Sequence, residues 1–241
     1  MFSDLYIREV KIDPPADATA YPFTLPVVRG NARIVFDNPV TFLIGENGSG
    51  KSTLLEAIAV AYGFNPEGGS LNYAFATHDT HSPLHTHLRL VKGVARPREG
   101  FYFRAESFYN AKTYLDEIDG SYGARPMHAY SHGESFLLLV RERLRGEGLY
   151  LFDEPEAALS PQSQLALLVR LRRLLARRAQ CIIATHSPLL LAYPGAAIYQ
   201  IGDDGALTPT VYEDTSYFAV YKYFLNNHGR FMAEIMGDVE A

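Results

Sequence analysis

Two rhythms of apolar and polar residues run along this chain. LYIREVKI, near the start, alternates with a period of two, as a strand with one buried face does; ARIVF reads as a second strand after the connector YPFTLPVVRG. TFLI is a short apolar strand, while LYLFDE and CIIATH are the continuous apolar runs of strands buried on both faces of a sheet. STLLEAIAVAYG, SHGESFLLLVRERL and PQSQLALLVRLRRLLARRAQ predict helices. The last of these separates LYLFDE from CIIATH, which makes a parallel βαβ unit. LRLVKG and GFYFRAE predict a strand pair joined through VARPRE, SFYNAKTYLDEI predicts a helix, and NPEGGSLNYAFATHDTHSPLHTH a loop or irregular insertion. No internal repeat or sustained heptad array is present.

Composition narrows the class. A chain of 241 residues, 47% apolar and 20% charged, buries a core as one globular domain with small insertions. No stretch approaches the roughly 18 unbroken apolar residues of a bilayer span, and MFSDLYIREVKIDPP lacks the basic-then-apolar pattern of a secretory signal. The expectation is a cytoplasmic protein with no direct membrane insertion. The single cysteine, Cys181, sits in an apolar run and reads as a buried structural thiol. A net charge of −5 argues against strong nonspecific affinity for nucleic acid and leaves a local basic patch open.

The chemistry begins at GENGSGKST. Gly45, Gly50, Lys51 and Ser52 meet the G-x-x-x-x-G-K-[ST] pattern, between a strand and a helix as that pattern requires. Glycines at 45, 48 and 50 let backbone N–H groups turn toward phosphate oxygens, with Asn47 and Ser49 between them, and the following helix adds its positive end. Lys51 suits the β- and γ-phosphates, Ser52 a Mg²⁺ ion, and Thr53 the α-phosphate. In GLYLFDEPEAALS, Asp153 stands where an acid holds the metal's water shell, and Glu154 where a carboxylate deprotonates an attacking water. In ATHSP, His186 follows an apolar strand at the carboxyl edge of the same sheet; it can donate to a γ-phosphate or serve a structural role. In YSHGES, Ser131 and Glu134 have capping-box spacing, and the same turn can bind an anion; the two roles are compatible.

In this order and spacing the motifs resemble those of the ATP-binding-cassette (ABC) ATPases, over about residues 32–193, and more narrowly the compact stand-alone members related to SMC and RecF heads. GENGSGKST resembles Walker A, LYLFDE Walker B, SHGES the signature, ALS the D-loop and THSP the switch histidine. The resemblance implies ATP and Mg²⁺ as cofactors and a head-to-tail homodimer, in which the signature Ser131, His132, Gly133 and Glu134 acts in trans, Ser131 and Gly133 meeting the γ-phosphate of ATP held by the other subunit. It also implies an effector partner. Tyr130, His132 and Glu134 depart from the Leu, Gly and Gln common in the family, and Ser160 from its D-loop Asp. No glutamine lies between Thr53 and Tyr130, so Glu106 is the best substitute for the family's Mg²⁺-contacting Q-loop residue; it can equally pair with Arg104. Tyr21 and Phe23 are the candidates for stacking on adenine.

Three features lie outside the motifs. His78, Asp79, His81, His85 and His87 have spacings that suit a transition metal, although a polar loop is the plainer reading. Arg170, Arg173 and Arg177, with Arg172 and Arg178, form a basic stripe that is either a solvated helix face or a contact for nucleic acid or an acidic partner. Tyr217, Tyr221 and Phe224, in an aromatic C-terminal segment, either pack on their own domain or dock a partner.

The sequence therefore predicts one α/β P-loop domain over residues 1–241, with a mainly parallel core sheet and an antiparallel N-terminal edge. A helical lobe is expected at about residues 107–144 and a helical tail at 215–241. The expected function is a soluble ATPase acting as a conformational switch for a partner, in DNA maintenance or defence. The alternative is the ATP-hydrolysing subunit of a transporter with a separate membrane protein.

Overall fold

The computed structural model describes residues 5–15, 17–71, 82–105 and 131–237. In chain order these form β1 (Ile7–Ile12), α1 (Pro26–Arg29), β2 (Arg33–Val35), β3 (Val40–Ile44), α2 (Lys51–Tyr62), β4 (Gly69–Ser70), β5 (Leu88–Lys92), β6 (Glu99–Arg104), α3 (His132–Arg143), β7 (Gly148–Asp153), α4 (Pro161–Leu175), β8 (Gln180–Ala184), α5 (Pro188–Leu191), β9 (Ala197–Ile201), β10 (Leu207–Thr210) and α6 (Ser216–Met236). Most of the segment expected as a helical lobe lies outside the described residues.

The core is a seven-stranded sheet in the order β10-β9-β3-β8-β7-β6-β4, with the five inner strands parallel and the two edges antiparallel. The antiparallel N-terminal part is a sheet of its own, β2-β1-β5. The expected pairing of LRLVKG with GFYFRAE does not occur. β5 joins β1 in the small sheet, while β6 enters the core sheet parallel to β7. Half-buried β5 suits a one-sided sheet, whereas Phe101, Tyr102 and Phe103 of β6 are buried and need cover on both faces.

Alternation sorts the core into two layers. Phe42, Tyr150, Phe152, Cys181 and Ile183 face one side, packed by α3 and α4; Leu43, Leu149, Leu151 and Ile182 face the other, packed by α2 and the small sheet. Burial pushes the Cys181 thiol far up, so it remains a neutral core group. Buried Gln180 joins the two sheets: its Oε1 accepts from the Tyr6 and Ile7 amides, both at 2.8 Å, and its Nε2 donates to Ile7 O at 2.8 Å. The register sets Leu43 of β3 and Asp153 of β7 both level with Ala184 of β8. Three strand ends therefore open at one edge, and the loops that leave them carry the site.

Candidate nucleotide site

The loop from β3 to α2 is built to come close to a ligand. Gly50 occupies the left-handed region at φ 97°, and a Cβ there would meet Val27 Cγ1 at 2.8 Å, so both backbone and packing require glycine. Gly48, at φ 81°, faces open space. No side chain caps α2, so its N-terminal amides point into the loop without a side-chain acceptor. Among the described residues the buried Ser49 hydroxyl has no hydrogen-bond partner, as expected of a group that serves a ligand oxygen. Lys51, 4% exposed, folds back on its own loop, donating to Gly45 O at 2.8 Å and Glu46 O at 3.0 Å. Burial pushes its ammonium down, against the opposing pull of Glu154, Asp153, Glu46 and Glu156.

Walker A and Walker B residues meet directly. Ser52 Oγ donates to Asp153 Oδ1 at 2.9 Å, across 101 residues of sequence. The next residue, Glu154, has φ 48° and ψ 54°, unusual for a side-chain-bearing residue, and its amide is held by Ala184 O at 2.9 Å. This backbone turn leaves the Glu154 carboxylate half-exposed, with Oε1 at 3.3 Å from His186 Nε2. His186 is fixed at three points. Its amide donates to Glu156 Oε1 at 2.5 Å, its Nδ1 lies 2.9 Å from the Tyr217 hydroxyl, and its ring meets the Tyr217 ring edge-on. Tyr217, the second residue of α6, also donates to Gly45 O at 3.0 Å. Nothing local in the sequence marks this 172-residue connection.

Ser131–Glu134 does not share this hydrogen-bonded group. Ser131 caps α3, accepting from the Glu134 amide at 3.3 Å, while Glu134 Oε2 accepts from the Ser131 amide at 2.9 Å and its hydroxyl at 2.8 Å. A Cβ on Gly133 would meet Ala158 O at 2.7 Å, so this glycine seats α3 against the turn that follows Glu154. Ser160 caps α4, accepting from the Ser163 amide.

The remaining candidates are placed as follows. The exposed Tyr21 hydroxyl lies 3.3 Å from Thr53 Oγ1, at the mouth of the loop, whereas Phe23 is buried edge-on against His87 and presents no free face for adenine. His85 and His87 meet the carbonyls of Ser82 and Asp13, and no metal-binding cluster occurs among the described residues; His78, Asp79 and His81 lie outside them. Glu106 and Tyr130 also lie outside. Arg104 pairs with Glu56 at 2.5 Å. Arg170 is not part of an outward stripe: its guanidinium donates to the carbonyls of Val140, Arg141 and Leu144, closing the end of α3. Arg177 donates to Arg145 O, and Arg178 pairs with Glu147. Tyr221 is 52% exposed and Phe224 touches Phe231 within α6. Among the described residues no helix is long and apolar enough to cross a membrane.

A family model described as "AAA domain" matches residues 23–100, and one described as "AAA domain, putative AbiEii toxin, Type IV TA system" matches residues 103–192. The cytochrome c biogenesis ATP-binding export protein CcmA of Paracoccus denitrificans is 32% identical over 170 residues, 66% of this chain and 74% of that protein. Among solved structures, cbiO1 from Clostridium perfringens, part of the ABC transporter complex cbiONQ, is 15% identical, covers 95% of this chain and 99% of its own, and has a TM-score of 0.49. The SMC head domain from Thermotoga maritima is also 15% identical, covers 86% and 99%, and has a TM-score of 0.40.

Proposed function

The chain belongs to the ATP-binding-cassette ATPases, a family that binds and hydrolyses ATP, and from that premise we propose that it works as a head-to-tail ATP-sandwich dimer that switches a partner protein. The observation that carries the catalytic reading is the Ser52–Asp153 hydrogen bond beside the buried Lys51. The pair is an all-oxygen donor set of the kind Mg²⁺ prefers, at the edge of a loop whose amides and orphaned Ser49 hydroxyl suit phosphate. Ser52 and Asp153 would hold the ion, which when bound neutralises charge on the β- and γ-phosphates. Lys51 exchanges its two loop carbonyls for phosphate oxygens. Glu154 takes a proton from the attacking water, for which its half-exposed carboxylate is open, and His186 donates to the γ-phosphate as charge gathers there. Gly45, Asn47, Gly48, Ser49, Gly50 and Thr53 complete the cradle.

Ser131, His132, Gly133 and Glu134 then serve the γ-phosphate of the opposite subunit. The test is a mixed dimer. Lys51→Ala and Ser131→Arg proteins should each fail alone, yet their co-refolded mixture should regain about a quarter of wild-type turnover, since random pairing rebuilds one site in half of the dimers. Full activity in Ser131→Arg alone would remove the signature from the site. Glu154→Gln should keep ATP binding, lose about 10²–10⁴-fold in turnover and accumulate the nucleotide-bound dimer; near-normal hydrolysis would exclude Glu154 as the base.

The resemblance to SMC and RecF heads and the "Type IV TA system" description support an effector in DNA maintenance or defence. CcmA, an ATP-binding export protein, favours the second reading, an ATP-hydrolysing subunit beside a separate membrane protein. A neighbouring permease gene supports transport, and a neighbouring nuclease or toxin gene supports the switch.

A further inference from the structure

The Tyr217 hydroxyl has one proton and two partners. Gly45 O is a carbonyl and can only accept, so at 3.0 Å the phenol must donate to it. The 2.9 Å contact with His186 Nδ1 is then a hydrogen bond only if Nδ1 carries the proton and the phenol oxygen accepts. We propose that Tyr217 is a positioning residue that fixes His186 with its proton on Nδ1, leaving Nε2 as the ring atom turned to the γ-phosphate end of the site, able to donate there only once the ring carries both protons. This rests on the reading of His186 as a γ-phosphate contact.

The surroundings agree. His186 Nε2 is buried, has no hydrogen-bond partner among the described residues, and lies 3.3 Å from Glu154 Oε1, so a second ring proton would have an acceptor in place. Among the described residues, the charged groups around this corner are Asp153, Glu154 and Glu156 from the end of β7 and the turn after it, and Glu46 and Lys51 from the phosphate loop. Burial and then Glu46 push the Tyr217 phenol up, so it keeps the proton it gives to Gly45. Gly45 O is shared with Lys51 Nζ. When Lys51 turns to phosphate, Tyr217 keeps that carbonyl paired. The consequence is that, at a pH where the ring is neutral, ATP should bind together with a proton. The γ-phosphate needs a donor, the singly protonated ring presents a bare Nε2, and uptake of one proton there from solvent turns that nitrogen into the donor with no bond made or broken elsewhere.

The test uses the full chain with ¹⁵N-labelled histidine. Above the range in which the ring is doubly protonated, the His186 signals, assigned by their loss in His186→Gln, should show protonated Nδ1 and bare Nε2. In Tyr217→Phe the proton should move wholly or partly to Nε2. At the same pH, calorimetry of a non-hydrolysable ATP analogue in buffers of different ionisation heat should show proton uptake in wild type, less of it in Tyr217→Phe and none in His186→Gln. Turnover in Tyr217→Phe should fall about tenfold, with KM for ATP within about twofold of wild type. An Nε2-protonated ring in wild type, or an unchanged tautomer in Tyr217→Phe, overturns the assignment to Tyr217. Full turnover in His186→Gln instead overturns the reading of His186, whatever the tautomer. Retained binding of the analogue by Tyr217→Phe separates both outcomes from misfolding.

Discussion

Among the described residues, two glycine-and-hydroxyl turns stand at helix N-termini, and they are left in opposite states. At α2 the turn is open: Gly50 offers no side-chain cap, the Ser49 hydroxyl has no partner among the described residues, and Lys51 rests on carbonyls it can exchange for phosphate. At α3 the turn is closed on itself, because Ser131 and Glu134 satisfy each other and the helix amide. Both use the same helix-end electrostatics. The difference teaches that a helix N-terminus becomes a phosphate site when its donors are left without acceptors, and that the α3 turn must give up a carboxylate contact before it can serve as one.

The largest expected effect separates the two turns by oligomeric state. Lys51→Ala should lower ATP affinity of the isolated chain by about 100-fold or more, since it removes charge-assisted bonds to phosphate. Ser131→Ala should leave that affinity within about twofold and abolish the ATP-driven dimer. Equilibrium binding of a fluorescent ATP analogue at concentrations below dimerisation, followed by sedimentation, reads both. Equal loss of monomer affinity in the two variants would place both turns around the same nucleotide and sink the distinction.

A second effect sharpens the contrast between the glycines. Gly133 lies against Ala158 O, so Gly133→Ala forces a 2.7 Å contact with backbone that cannot swing away. It should destabilise the fold by about 1–3 kcal/mol, a fall of roughly 2–4 °C in Tm for each kcal/mol at this chain length. Gly48→Ala meets nothing within 4 Å, and its cost is the φ of 81° alone, about 1 kcal/mol. Thermal unfolding without nucleotide ranks the two. A larger drop for Gly48→Ala would contradict the packing role of Gly133.

Much of this was legible in the chain. The continuous apolar runs named the core strands, β7-α4-β8 is the parallel unit that the pattern predicts, and GENGSGKST lies between a strand and a helix as its motif demands. What escaped reading was long-range and polar. The assignment of β5 and β6 to different sheets rests on their distant partners, β1 and β7, and on cover for both faces of β6, neither of which alters a local period. Arg170 reads as one arginine of an exposed stripe because spacing reports which face a residue shares, not that a long side chain can cross to the end of another helix. In the sequence Tyr217 is one of several aromatics that either pack on their own domain or dock a partner, and nothing local names the groups it packs on. Its link to Gly45 and His186 exists only because β3, β8 and α6 converge at one sheet edge.

The smallest effect concerns Glu134, where many ABC members carry glutamine. Its carboxyl is held below the usual range, first by the Ser131 amide and then by the Ser131 hydroxyl. A lowered native value means that the cap's contribution is complete above the ordinary carboxyl value, about 4.5, and is lost as pH falls through the lowered one. At neutral pH the cap is therefore intact and negatively charged. In the proposed dimer that charge faces the γ-phosphate of the opposite subunit. Glu134→Gln keeps an oxygen to accept from the Ser131 amide but removes the charge, so α3 should persist while the repulsion disappears. In a Glu154→Gln background, which holds ATP without hydrolysis, the ATP-driven dimer should tighten by about two- to fivefold, and the gain should shrink as salt screens it. Sedimentation equilibrium at low and high salt measures both. A dimer that is unchanged or weaker in Glu134→Gln, with helix content preserved, would show that this carboxylate does not face phosphate and that the closed α3 turn is a helix cap alone.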